Sequence, residues 1–190
     1  MIDLLLDPDK ALDAVNKAVE LVKKASKTVD NVESLGPVLG KYFDAKAEAI
    51  EVGDHLSLGE LRSVQGHTYT ESHWKQRYTV VPVWATWCSY CRKQNVHLEQ
   101  LVQKVPANQL NIITISIDKT VSSVQAYLAK NSYTFPVVMM TPELSKAIGK
   151  RRGVPEVYVL NQQGKVIQKD YGLMVDLDFF DLARYANKQK

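Results

Sequence analysis

The run Val80-Val81-Pro82-Val83-Trp84-Ala85-Thr86-Trp87-Cys88-Ser89-Tyr90-Cys91 constrains the fold more than any other stretch of the chain. An apolar segment of strand length, Tyr78 to Trp84, reads as a central strand. It meets a short polar break, and two cysteines then fall at i and i+3 as a helical pattern opens. They are the chain's only two cysteines. On the first turn of a helix, two thiols at that spacing are close enough to join in a small disulfide ring. The helix start also offers unpaired N–H groups and the positive end of the dipole, both of which favour a thiolate on the first cysteine.

Two other readings of the pair remain: coincidence, or half of a metal site. A structural zinc site needs four ligands; there is no second cysteine pair, and His97 stands at a poor chelating spacing on the same expected helix. The redox reading uses every feature of the stretch. A thiolate that attacks a disulfide, with a second thiol placed to resolve the mixed disulfide, is sufficient for two-electron exchange.

The segment Val83 to Lys93, with its Trp-Ala-Thr-Trp-Cys-Ser-Tyr-Cys core, resembles the active site of the thioredoxin superfamily, in particular its TlpA/ResA-type branch of membrane-anchored or periplasmic bacterial thiol–disulfide proteins. A second block, Arg152-Gly153-Val154-Pro155-Glu156-Val157-Tyr158-Val159-Leu160, resembles the loop and strand that carry that family's cis-proline. The residues between the blocks leave room for the strand and helix that TlpA-like proteins insert. The resemblance covers roughly Asp54 to Lys190. It implies a thioredoxin-like α/β fold, with a mixed central sheet and helices on both faces; residues 1–53, which have no counterpart in a minimal thioredoxin, read as an N-terminal helical extension.

The activity so implied is thiol–disulfide exchange with protein substrates, by a TlpA-like reductase. Cys88 is the expected nucleophile and Cys91 the shielded resolving thiol. In such surroundings a thiol pKa falls from about 8.5 into the range of about 3.5–7.5. Trp87 is expected as a wall beside the disulfide. Pro155, cis by resemblance, has no N–H to give, and Val154 would hold a substrate strand through its backbone. No cofactor is implied beyond the Cys88–Cys91 disulfide, and no metal. Two alternatives stand beside the reductase: a periplasmic isomerase or oxidase dimerised by its N-terminal arm, and a copper-binding module that uses both cysteines as soft ligands.

Three departures from the family pattern bear on proton transfer. Pro82 stands where thioredoxins carry a buried aspartate, Gln94 where TlpA/ResA-type proteins often carry a glutamate, and Val96 where many relatives have a proline. With neither carboxylate present, Glu156 is the candidate proton relay for Cys91. The missing negative charge should make the pair less reducing than thioredoxin's. Pro82 also removes a ladder donor from a central strand, so a bulge is expected there.

The rest of the chain supplies the scaffold. Asp7-Pro8 is a good helix start, and Leu12, Val15, Val19, Val22 and Val29 mark an amphipathic helix from about Pro8 to Glu33. A second helix is expected from Leu39 to about Ile50. This extension reads as a cap packed on the domain, as an arm for homo-oligomers, which the near-heptad stripe favours, or as a partner-specific clamp. Short strands are expected at Leu56–Leu61 and His67–Thr70, then a strand over Leu110–Ile117, with Asp118 capping a helix over Val121–Asn131. A strand at Phe135–Met140 and a helix at Pro142–Lys150 follow. A hairpin of Val157–Leu160 with Lys165–Lys169 and a helix at Leu177–Asn187 complete the domain. His67 and His73 read as solvated loop residues.

A net charge of +3 argues for neither nucleic acid nor anionic lipid as partner. No apolar run approaches the ~20 residues of a membrane span, and Met1–Leu6 is no signal-peptide core. The resemblance places the protein in the periplasm, its leader removed ahead of Met1, with a redox partner that could be membrane-bound; the cytoplasm is the alternative.

Overall fold

The computed structural model describes residues 49–174 and 176–187. The helices expected over residues 8–33 and from 39 onwards, and so almost all of the N-terminal extension, lie outside the described residues. The chain divides into two units, Met1–Lys46 and Ala47–Lys190. The second unit starts ahead of Asp54: Ile50 is buried, and its N–H donates to the Ile148 carbonyl at 3.0 Å.

A hairpin, β1 (Leu61–Arg62) with β2 (Thr68–Tyr69), leads into a short helix, α1 (Glu71–Lys75). The core sheet then forms from β3 (Thr79–Trp84), β4 (Asn111–Ile112), β5 (Thr114–Ser116), β6 (Val137–Met139), β7 (Glu156–Leu160) and β8 (Val166–Tyr171). Four further helices intervene: α2 (Ser89–Lys104), α3 (Val121–Asn131), α4 (Pro142–Ile148) and α5 (Asp176–Ala183). The strand order is β6-β5-β3-β7-β8, with β4 beside β3. β3 is parallel to β4 and β5, β5 is parallel to β6, and the β7–β8 hairpin is antiparallel. This is the mixed thioredoxin-like sheet.

β3 is buried along its whole length, as its unbroken apolar run requires. Its pleat sends Val80 and Trp84 to one face and Val81 and Val83 to the other. The first face packs against Leu98 and Leu101 of α2, Val124 and Leu128 of α3, and Phe179 and Leu182 of α5. The second packs against Trp74 of α1, Leu144 and Ile148 of α4, and Leu56 and Leu58. Each such side chain contributes about 1.5–3 kcal/mol by leaving water. Trp84 is the first core's anchor, its indole N–H donating to Thr114 Oγ1 at 3.0 Å and its ring against Tyr127 and Phe135.

Several expectations are corrected here. Pro82 causes no bulge: the antiparallel ladder to β7 runs through it in register, from Thr79↔Leu160 to Val83↔Glu156. The lost donor lies on the parallel side instead, where pairing lapses between Val80↔Ile112 and Val83↔Ile115. The expected strand Leu110–Ile117 therefore divides into β4 and β5 opposite the residue that cannot donate. Leu56 and Leu58 are buried, yet only Leu61–Arg62 pairs as a strand. Thr120, not Asp118, caps α3. His73 belongs to α1, where its Nδ1 accepts from the Thr70 N–H at 3.0 Å.

Candidate active site

Where β3 ends and α2 begins, the chain passes through Ala85, Thr86 and Trp87 to Cys88, which is the N-cap of α2. The Cys91 N–H donates to Cys88 Sγ at 3.1 Å, so a free helix-start amide lies against the first sulfur. The two cysteines are joined as a disulfide, with their Cα atoms 5.2 Å apart. Cys91 is fully buried, and Cys88 keeps 7% of its surface in solvent. An incoming group therefore meets the Cys88 sulfur first.

The second sequence block arrives at the same place. Cys88 Sγ lies 3.6 Å from the Val154 carbonyl oxygen, and the Val154–Pro155 peptide bond is cis. Pro155 is buried, and its carbonyl accepts from the Gly172 N–H at 2.9 Å, which ties the loop to the end of β8. Tyr171 lies across Gly153: a Cβ at that glycine would stand 3.0 Å from the Tyr171 hydroxyl. Trp87 and Tyr90, on either side of Cys88, expose 64% and 58% of their surface.

Glu156 is not brought to the thiols. The alternation along β7 turns it to the same face as Tyr158, whose hydroxyl donates to Glu156 Oε2 at 2.8 Å. Tyr158 belongs to the second core, whereas both cysteines pack in the first, on the other side of the sheet. Glu156 therefore makes its hydrogen bond on the face of the sheet away from Cys91. Burial, and then the hydrogen bond to Glu156, push the Tyr158 phenol well above its ordinary pKa. Gln94 is buried and structural, its Oε1 accepting from the Met174 N–H at 3.1 Å and so joining α2 to the approach of α5.

A carboxylate absent from the sequence-based candidates does reach the redox loop. Asp118, just past β5, accepts from the Thr86 N–H at 2.9 Å, from Thr86 Oγ1 at 2.6 Å and from Ser116 Oγ at 2.7 Å. From the other side, the Arg92 guanidinium donates to the Thr86 carbonyl at 3.1 Å. Asp118 looked like a helix cap because it precedes α3. Its position at the C-terminal end of a strand next to β3 was the signal for its actual role. Among the described residues, no three His, Cys, Asp or Glu side chains gather as metal ligands.

Comparison with known proteins agrees with this geometry. The AhpC/TSA family profile matches residues 52–169. The thiol-disulfide oxidoreductase ResA of Bacillus cereus is 25% identical over 142 residues, which are 73% of this chain and 80% of that protein. Among solved structures, a thioredoxin-family thiol:disulfide interchange protein from Chlorobium tepidum superposes with a TM-score of 0.62 at 23% identity, covering 73% of this chain and 98% of that one. A secreted thiol-disulfide isomerase from Corynebacterium glutamicum gives a TM-score of 0.60 at 17% identity, over 70% of this chain and 86% of the other.

Proposed function

Because the chain belongs to the AhpC/TSA family, we propose that it is a thiol–disulfide oxidoreductase of protein substrates, working in the reducing direction through Cys88 and Cys91. The observation that carries this reading is the asymmetry of the pair. Cys88 is at the helix start with solvent access and a backbone N–H on its sulfur, while Cys91 is sealed behind it.

In the dithiol form, the Cys88 thiolate attacks one sulfur of a substrate disulfide. A mixed disulfide forms, and the other substrate sulfur leaves as a thiolate that takes up a proton. Cys91, having lost its proton, then attacks Cys88 Sγ, which restores the intramolecular disulfide and releases the second substrate thiol. Two electrons pass from the pair to the substrate, and the exchange uses no group beyond the two cysteines. Val154 supports the step by offering backbone beside Cys88, and Trp87 and Pro155 border the same approach.

The secreted isomerase among the similar structures supports a place outside the cytoplasm, and the periplasm is the specific reading, with a partner there returning electrons to the pair. No helix among the described residues is long and apolar enough to cross a membrane. The decisive experiment is trapping. With Cys91→Ser, mixed disulfides through Cys88 should accumulate on protein substrates, and the wild-type dithiol should reduce insulin without rescuing scrambled ribonuclease. Trapping by Cys88→Ser alone would reverse the roles, and ribonuclease rescue would replace the reductase with an isomerase.

A further inference from the structure

The surface around the disulfide combines exposed rings with unpaired positive charge. Trp87, Tyr90 and Tyr171 expose 64%, 58% and 56% of their surface, and Tyr171 borders the Gly153–Val154 edge that faces Cys88. Arg92 and Lys93 directly follow Cys91, Arg152 directly precedes Gly153 with Lys150 two residues before Arg152, and Lys119 follows Asp118. All five cations are exposed, and among the described residues none of them is in an ion pair.

The carboxylates beside these segments are fewer than the cations, and only Glu143 among Asp118, Glu143 and Glu156 is exposed. Asp118 is bonded to Thr86 and Ser116, and Glu156 is buried under the Tyr158 hydroxyl. Glu143, in the first turn of α4, is bonded to its own backbone and to Thr141, which holds its carboxyl below the usual range and keeps it charged, so it offsets part of the positive rim. A rim of this kind attracts anions, and a cluster of unpaired cations costs stability unless a partner neutralises it.

We propose that the redox centre takes a substrate segment rich in Asp or Glu around its cysteine, with an apolar or aromatic residue that meets Trp87 and Tyr90. This inference rests on the oxidoreductase reading and names its substrate class. The cations accelerate encounter with an acidic segment and stabilise the thiolates formed during exchange, while the rings supply contact area that ionic strength does not screen.

The test is a rate comparison with the full chain in its dithiol form. Three peptide disulfides of one sequence length are used, with acidic, neutral or basic residues flanking the cysteine, beside the small neutral hydroxyethyl disulfide. At low ionic strength the acidic peptide should react about tenfold faster than the neutral one and faster still than the basic one. Salt above the physiological range should collapse the difference, because the Debye length falls from about 8 Å to about 3 Å at 1 M. The Lys93→Glu, Arg152→Glu double variant should lose the acidic preference, with its hydroxyethyl disulfide rate reporting any damage to the centre itself. Equal rates for the three peptides, or a ranking led by the basic one, overturn the proposal. Absence of exchange with every disulfide, the small one included, would instead remove the oxidoreductase reading beneath it.

Discussion

Tyr158 and Glu156 form a buried hydrogen-bonded pair on the strand that follows the Gly153–Pro155 loop. Glu156 has almost no solvent contact and receives the Tyr158 hydroxyl at 2.8 Å. A buried carboxylate deprived of its donor costs more than the bond contributed, because its desolvation is then uncompensated. Tyr158→Phe should therefore lower stability by about 1–3 kcal/mol, measured as a shift in the urea midpoint at neutral pH. The phenol also makes the fold sensitive to alkali. Its folded pKa is raised above the unfolded value of about 10, so its contribution is complete below that pH and declines as pH rises past it, where the unfolded chain releases the proton and the folded one does not. The phenylalanine variant should lose that part of the alkaline slope.

The loop between β3 and α2 is the element on which exchange depends, and Asp118 holds it from the next strand. Three donors converge on one carboxylate, two of them from Thr86, which lies two residues before Cys88. Asp118→Ala should cost about 1.5–3 kcal/mol of stability, the range for a hydrogen bond to a charged group, and slow exchange by misplacing Cys88. Asp118→Asn keeps an acceptor but removes the negative charge, so it should preserve most of the stability while lowering the Cys88 thiol pKa. The pH profile of Cys88 alkylation in the reduced protein separates the two effects: a profile unmoved in the asparagine variant would limit Asp118 to a structural anchor. The same residue qualifies the argument from missing carboxylates. Pro82 and Gln94 remove negative charge near the thiols, and Asp118 returns some from another direction.

At the scale of the whole molecule, the unit Ala47–Lys190 holds the full sheet, the disulfide and the cis-proline loop. A chain lacking residues 1–46 should therefore fold and reduce insulin at close to the full-length rate. The stripe of Leu12, Val15, Val19, Val22 and Val29 makes those residues a candidate oligomerisation arm. Light scattering of the two forms checks this: a larger assembly only with the segment present assigns it to association, and monomers in both cases reduce it to a cap.

The sequence by itself determined the elements whose signals are local. The β3 run and the cysteine spacing at a helix start each depend on residues adjacent along the chain, and they marked Cys88 and Cys91 as a pair beside a central strand; the Gly-Val-Pro block drew attention to Pro155 only through its resemblance to a family's loop. Tertiary structure alone decided which carboxylate reaches the loop and which does not. Glu156 is one residue from Pro155 in the chain, yet the strand pleat places it across the sheet from the thiols. Asp118 is far along the chain from Cys88, yet the parallel pairing of β5 with β3 sets it against Thr86. Pro82, too, shows its effect on the neighbouring strand rather than its own, since its missing donor faces β4 and β5. Chain proximity governs backbone conformation, but the face of a strand and the identity of its neighbour are set by the packing of both cores.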